Sequence, residues 1–315
     1  MNGSFAHLRV SSEYSIFKGL LSIEKLVEKA KSFGMPAIAL TDHSNMFGLV
    51  KFFKKCEKEG IKPISGSTLN IARSQEDRPY EFLCLAKNLD GQKNLMHGLS
   101  KASRNQSKAI VYDDFLNICN DIFVITGSEN SEIFSLILNE KEDKAVELIE
   151  KYKSDFKNNL VIEIQNTGKE SHKIFMASIL PIASRLRIPV IATNDVLFGD
   201  REDFEIHETK VCINSGKTLN DPNREKIYSE EQYFKSQDEM QELFKDFPEV
   251  LSNTLEIAKQ CNLSLEPDGY FLPEYPVPEG QNFDSHLRSL VEENLDNLTA
   301  KFAKDQVERL SLIHI

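Results

Sequence analysis

No stretch of this 315-residue chain is apolar for long enough to cross a membrane, and its N-terminus lacks the basic-then-apolar segment of a secretion signal. Internal repeats and low-complexity segments are missing too, so the chain does not read as a solenoid or a disordered tract. Cysteine is scarce: Cys56, Cys84, Cys119, Cys212 and Cys261 are odd in number, scattered and without ligand-like spacing. They read as reduced, mostly buried thiols of a cytoplasmic protein and argue against a zinc–cysteine site. Positive charge is in deficit, with 38 Lys and Arg against 49 Asp and Glu and a net charge of −11. That balance argues against a broad nucleic-acid surface, although a local basic strip fits within an acidic total.

What is present is ordinary globular material, 40% hydrophobic and 28% charged, enough for one large α/β domain or two smaller ones. The run from Phe5 to Ser15 alternates apolar residues and then drops into hydroxyl and acid side chains. Read as a first strand, it carries His7, Arg9 and Glu13 toward its carboxyl end. Ser22–Phe33 follows as an amphipathic helix, with Ile23, Leu26, Val27 and Ala30 on one face, Ser22 as N-cap and Gly34 as stop. Ala37–Thr41 is a compact strand, 49–59 a helix stopped by Gly60, and Pro63–Ile71 a third strand.

The rhythm continues with a strand at Glu81–Ala86, a helix at Gln92–Ser103 and a strand at Ile122–Thr126. A helix at Glu142–Phe156, a strand at Leu160–Ile164, a helix over 170–186 and a strand at Val190–Ala192 follow. This order predicts right-handed βαβ units around a parallel sheet. Strands end repeatedly in polar clusters, Thr41-Asp42-His43, Gln165-Asn166-Thr167 and Thr193-Asn194-Asp195. Parallel strands would gather these on one rim, the layout of a (β/α) barrel with its site at the top. An open doubly wound sheet is the alternative, but no Gly-rich phosphate loop follows the first strand. From about Asp200 the pattern turns helical. Gln237–Asn262 is a helix with a break near Pro248, 263–282 an ordered connector rich in Pro, Gly and aromatics, and Phe283–Phe302 a new amphipathic helix.

Several long motifs carry a resemblance. His7-Leu8-Arg9 to Ser15, Ala39-Leu40-Thr41-Asp42-His43-Ser44-Asn45-Met46-Phe47-Gly48 and Gly60-Ile61-Lys62-Pro63-Ile64-Ser65-Gly66 resemble the N-terminal region of bacterial DNA polymerase III alpha subunits. These are the family C replicative polymerases. Leu85-Ala86-Lys87-Asn88, Ile191-Ala192-Thr193-Asn194-Asp195-Val196 and Tyr270-Phe271-Leu272-Pro273 resemble it as well. The resemblance implies an α/β fold, a distorted (β/α) TIM-like barrel of the PHP (polymerase and histidinol phosphatase) type, then the helical start of the polymerase palm. The implied division is a barrel core over 1–200, a helical end and connector over 201–270, and an incomplete start of the palm over 271–309. Leu310–Ile315 breaks the pattern, reads like a translated sequencing adapter, and is set aside as an artefact.

In metal-binding members of that family the rim carries histidines and acids for two or three divalent ions. Here His7 stands at the first position of the His-x-His pair, but Arg9 is at the second and Ser11 at the next. Lys18 replaces an acid, Thr68 a glutamate, and Glu81, Thr167 and Leu197 replace histidines. His7, His43 and Asp195 remain as remnant rim positions, with Glu13 and Asp42 as polar neighbours. Arginine offers no lone pair and repels a cation, and leucine cannot ligate, whereas zinc needs three good ligands and a two-metal mechanism needs more. At most one weakly held zinc or manganese ion is expected. Arg9 and Lys18 are expected to stand where cations bind in relatives, paired with Asp195, Glu81 or Glu13.

Plainer readings exist for each residue. His7 and His43 read as hydrogen-bonded core histidines, Asp42 and Asp195 as caps of the helices after their strands, and Glu13 as a solvated loop acid. His97, His172 and His207 fall on helix-like segments and receive no catalytic role. By resemblance, the parent is a DNA-directed DNA polymerase whose two magnesium ions lie in the palm beyond this chain, leaving the fragment itself inactive. Its expected partners are the proofreading exonuclease (epsilon) subunit, docked by the barrel, and, through the missing regions, other holoenzyme subunits and primer-template DNA. No membrane partner is expected. The rivals are a working metallo-phosphoesterase or 3′–5′ exonuclease, and a stand-alone structural barrel.

Overall fold

A computed structural model describes residues 5–74, 76–105, 108–265, 269 and 275–299, the last five without their side chains. The chain divides into two compact units, Met1–Leu265 and Glu266–Ile315. The first holds strands β1 (Ala37–Leu40), β2 (Lys62–Ala72), β3 (Tyr80–Ala86), β4 (Ile110–Val111), β5 (Ile122–Thr126), β6 (Leu160–Gln165) and β7 (Val190–Thr193). Its helices are α1 (Ile23–Ser32), α2 (Leu49–Glu59), α3 (Leu89–Arg104), α4 (Tyr112–Leu116), α5 (Glu132–Leu138), α6 (Glu142–Phe156), α7 (Glu170–Leu186), α8 (Phe204–Ser215), α9 (Gln237–Leu243) and α10 (Glu249–Gln260). The second unit contributes α11 (Phe283–Thr299), on which Phe283 and Leu287 are exposed. Tyr270–Pro273 and 310–315 lie outside the described residues. No described helix is long and apolar enough to cross a membrane.

The sheet is curled and mixed, in the order β1-β2-β3-β5-β6-β7, with β4 pairing β2. The expectation of an all-parallel sheet is corrected at β3, which runs antiparallel to both β2 and β5. Only the short connection at 73–79 separates β2 from β3, too little chain for a parallel crossover. The reversal matters for the site. The parallel strands bring their last residues to the rim, and β3 brings its first, so Glu81 arrives there from the strand's beginning.

Residues 5–12 complete the curl without forming a regular strand. On one side, the carbonyls of His7 and Val10 accept from Ala39 of β1 and from Thr41 just past it; on the other, Ser11 N–H and Arg9 C=O bond to Val196, just past β7. The step from His7 to Val10 is thus one residue longer than the step from Ala39 to Thr41 that it pairs with, the mark of a bulge. Inside the curl Ala6, Leu8, Ala39, Leu83, Ile125, Val161 and Ile191 share one apolar cluster with Leu255 and Ala258 of α10. That helix lies across the end where β7 begins, with Asn253 Nδ2 donating to Val190 O at 2.8 Å. A larger cluster fills the space between the sheet and the outer helices. One end of the curl is therefore plugged by an apolar helix, and the polar residues are left at the other.

Candidate functional site: the polar rim

The bulge separates the two residues that strand alternation would have put together. His7 turns outward: its ring lies 4.8 Å from that of Phe5 and 4.6 Å from that of Phe234, and its Nε2 donates to Lys235 O at 2.8 Å. Burial lowers its pKa from the usual value to about 4, so the ring is neutral. His7 is therefore a core histidine and stands away from the rim cavity.

Arg9 turns inward and is 4% exposed. Its Nε donates to Glu163 Oε2 at 3.0 Å and its Nη2 to Glu163 Oε1 at 2.5 Å, a fork-to-fork pair. Thr193 Oγ1 adds a 2.7 Å bond to the same carboxylate. Burial opposes the charge on Arg9, but Glu163 outweighs it and holds the guanidinium more firmly protonated than usual. Arg9 Nη1 reaches Thr68 Oγ1 at 3.4 Å and stands 3.8 Å from Glu81 Oε2. The expected partners are corrected accordingly. Glu163 is the principal one, Glu81 a looser one, Asp195 acts on Arg9 only through its charge, and Glu13 is an exposed acid 3.8 Å from Lys51.

Glu81 gathers the cations at the mouth. Its Oε1 accepts from Lys18 Nζ at 2.7 Å and lies 3.3 Å from His43 Nε2. Burial works to raise its pKa, yet the hydrogen bond from His43 and the charges of Lys18 and Arg9 prevail and hold it well below the usual carboxylate range. A depressed carboxylate stabilises the fold at pH above its unfolded value of about 4.3 and loses that contribution as the pH falls through the folded one. Lys18→Met removes one lowering charge from a partly exposed pair. It is expected to cost about 1 kcal/mol at neutral pH and to move acid unfolding to higher pH. Circular dichroism across an acid titration reads both; an unmoved acid midpoint would show that Lys18 does not hold Glu81.

Neither Asp42 nor Asp195 caps a helix. The N-cap of α2 is Gly48, with no side-chain bond, and Asp42 instead clasps the turn after residue 11. It accepts from Ser12 N–H and Ser12 Oγ, each at 2.8 Å, and from Ser15 Oγ at 2.6 Å. Asp195 adopts a left-handed φ of 47° and accepts from Gln232 Nε2 at 2.8 Å. Burial raises the pKa of both acids.

Arg9, Lys18, Glu81, Asp195, Thr167 and Lys226 line a cavity of about 570 Å³. Its far wall holds a cluster that sequence reasoning passed over. His172 Nδ1 accepts from Thr167 N–H at 3.2 Å, its Nε2 faces Glu129 Oε1 at 2.8 Å, and Lys169 Nζ donates to Glu129 Oε2 at 2.8 Å. His172 is thereby bound into the wall. His207 is buried on α8, where its Nε2 donates to Lys18 O. Leu197, expected from the resemblance to stand in place of a histidine, is 1% exposed. Among the described residues no group of three or more His, Cys, Asp or Glu is placed to hold a metal ion. On the rim Arg9, Lys18 and Lys169 are each matched to a carboxylate.

Residues 7–167 match the PHP domain family. The chain belongs to that family. It is similar to DNA polymerase III subunit alpha of Pseudomonas aeruginosa, 40% identical over 314 residues, covering 97% of this chain and 27% of that protein. The subunit from Escherichia coli K12 is 37% identical over 311 residues, with the same two coverages. The one from Vibrio cholerae is 38% identical over 279 residues, covering 87% and 24%. The chain thus spans about a quarter of the length of these relatives. Among solved structures, a two-domain protein from Bacteroides vulgatus containing a predicted PHP-like metal-dependent phosphoesterase gives a TM-score of 0.42 at 16% identity, over 79% of this chain and 62% of that one.

Proposed function

We propose that this PHP domain is the non-catalytic N-terminal support of a cytoplasmic replicative DNA polymerase, the alpha subunit of DNA polymerase III. In this reading the parent extends primers with magnesium held in a palm beyond this chain, and the barrel carries the proofreading exonuclease subunit. The polymerase half rests on similarity along nearly the whole chain to alpha subunits. The non-catalytic half rests on one observation, the Arg9–Glu163 pair at the head of the curl. A guanidinium engaged at both ends of a buried carboxylate supplies the positive charge that a divalent ion supplies in a hydrolase, and it can neither ligate nor activate water. His7 adds no ligand, since its ring is turned out of the curl.

Metal analysis of the purified protein tests this half. Substoichiometric zinc and manganese are expected after passage over a chelating resin. Two or more tightly bound ions, lost on His43→Ala, would overturn it in favour of a metallo-phosphoesterase. The polymerase half is tested by sequencing the gene past Arg309. An open frame running into acid-rich palm motifs is expected, and a stop codon there would leave a stand-alone barrel.

A further inference from the structure

Helix α8 is built inside out. Its inward face buries His207, Glu208 and Cys212, whereas Ile206 and Ile213 stand 58% and 78% exposed. Ile206, Lys210 and Ile213 follow one another at helical spacing and share a stripe. The stripe adjoins the turn at 15–19, because His207 Nε2 donates to Lys18 O at 2.8 Å and Lys210 Nζ donates to Gly19 O. The same turn projects Ile16 and Phe17, 64% and 61% exposed. Its backbone is fixed by the Asp42 clasp and by Gly19, where an added Cβ would stand 2.0 Å from Ser12 O. Four large apolar side chains are therefore held in water on a pre-ordered frame. A patch of this kind marks an interface, and a rigid one loses little entropy when it is covered.

We propose that the turn at 15–19 and the outward face of α8 form an intramolecular docking surface, covered by the part of the parent polymerase that lies beyond this chain. The proposal rests on the polymerase reading above. Two observations select this occupant. The similar alpha subunits are matched over only 27% of their length, so most of such a protein is available to cover the surface. The face is also poor in free charge: of the exposed residues of α8, Glu205 alone is ionic, and the amine of Lys210 within the stripe is tied to Gly19 O. Permanent interfaces are apolar in this way, whereas separately diffusing partners are usually steered by complementary charge.

The test uses the full-length parent with single reporters, Phe17→Cys and Ile213→Cys, and Glu256→Cys on α10 as an exposed reference. The five native cysteines of this region are buried and stay silent. Maleimide labelling, located by mass spectrometry, is expected to be slower by about ten-fold or more at positions 17 and 213 than at 256. Labelling of all three at one rate in the full-length protein would overturn the surface, as would slowing only after a separate subunit is added. A gene that ends with this chain would instead defeat the polymerase reading, which the DNA sequence shows before any labelling.

Discussion

Glu163→Ala is expected to be among the most damaging single substitutions in this chain, costing about 3–5 kcal/mol, the scale of breaking a buried ion pair. The reason is the cation it leaves behind. Arg9 is 4% exposed, and its two bonds to Glu163, at 3.0 and 2.5 Å, are the only fork-to-carboxylate pair it makes among the described residues. Without Glu163 the nearest acid is Glu81 at 3.8 Å, already shared with Lys18 and His43. Thr193 Oγ1 loses its acceptor as well. A small domain has roughly 5–15 kcal/mol in total, so the loss threatens folding itself. Removing both charges separates structure from function. Arg9→Met with Glu163→Met strands no ion and is expected to recover most of the stability, because apolar replacement of a buried pair is often close to neutral. Urea unfolding of the two single variants and the double variant measures the coupling; additive losses would mean that the pair does not hold the rim together.

Much of the outer architecture was legible because helix periodicity and caps are local. Ser22 caps α1 with a 3.4 Å bond from Lys25 N–H, Gly60 ends α2 in a left-handed turn, and α6 runs over the predicted Glu142–Phe156. The rim was legible only as a set of positions. Alternation places His7 and Arg9 on one face, and nothing local announces the extra residue that turns them apart, since it arises from how 7–10 registers against Ala39 and Thr41. The direction of β3 was equally hidden, being set by the short link at 73–79. Glu163 could have been found. It is an acid inside Leu160-Val161-Ile162-Glu163-Ile164, a strand otherwise apolar on both faces, and a carboxylate so placed needs a cation. His172 could not, because its partner Glu129 comes from a segment brought near only by the fold.

Asp42→Ala is expected to cost about 2–4 kcal/mol and to release the turn that carries Lys18, as the loss of a buried acceptor of several hydrogen bonds implies. Ser12 N–H, Ser12 Oγ and Ser15 Oγ all converge on this carboxylate, and Ser15 Oγ in turn accepts from His43 N–H. One substitution therefore loosens both groups that meet at Glu81, Lys18 and His43. Asp42→Asn keeps an oxygen for the Ser12 amide while the hydroxyls reorient, and it is expected to cost about 1 kcal/mol. Its pH dependence carries the sign. Burial raises the pKa of Asp42, so in the parent the folded state binds this proton more tightly than the unfolded state, and stability falls as pH rises through the raised value. Asparagine has no proton to lose, so the gap between the parent and Asp42→Asn should narrow from acid toward neutral pH. Chemical unfolding at several pH values reads that gap. A gap that widens with pH would mean the ionised carboxylate, favoured by its three donors, is what holds the turn.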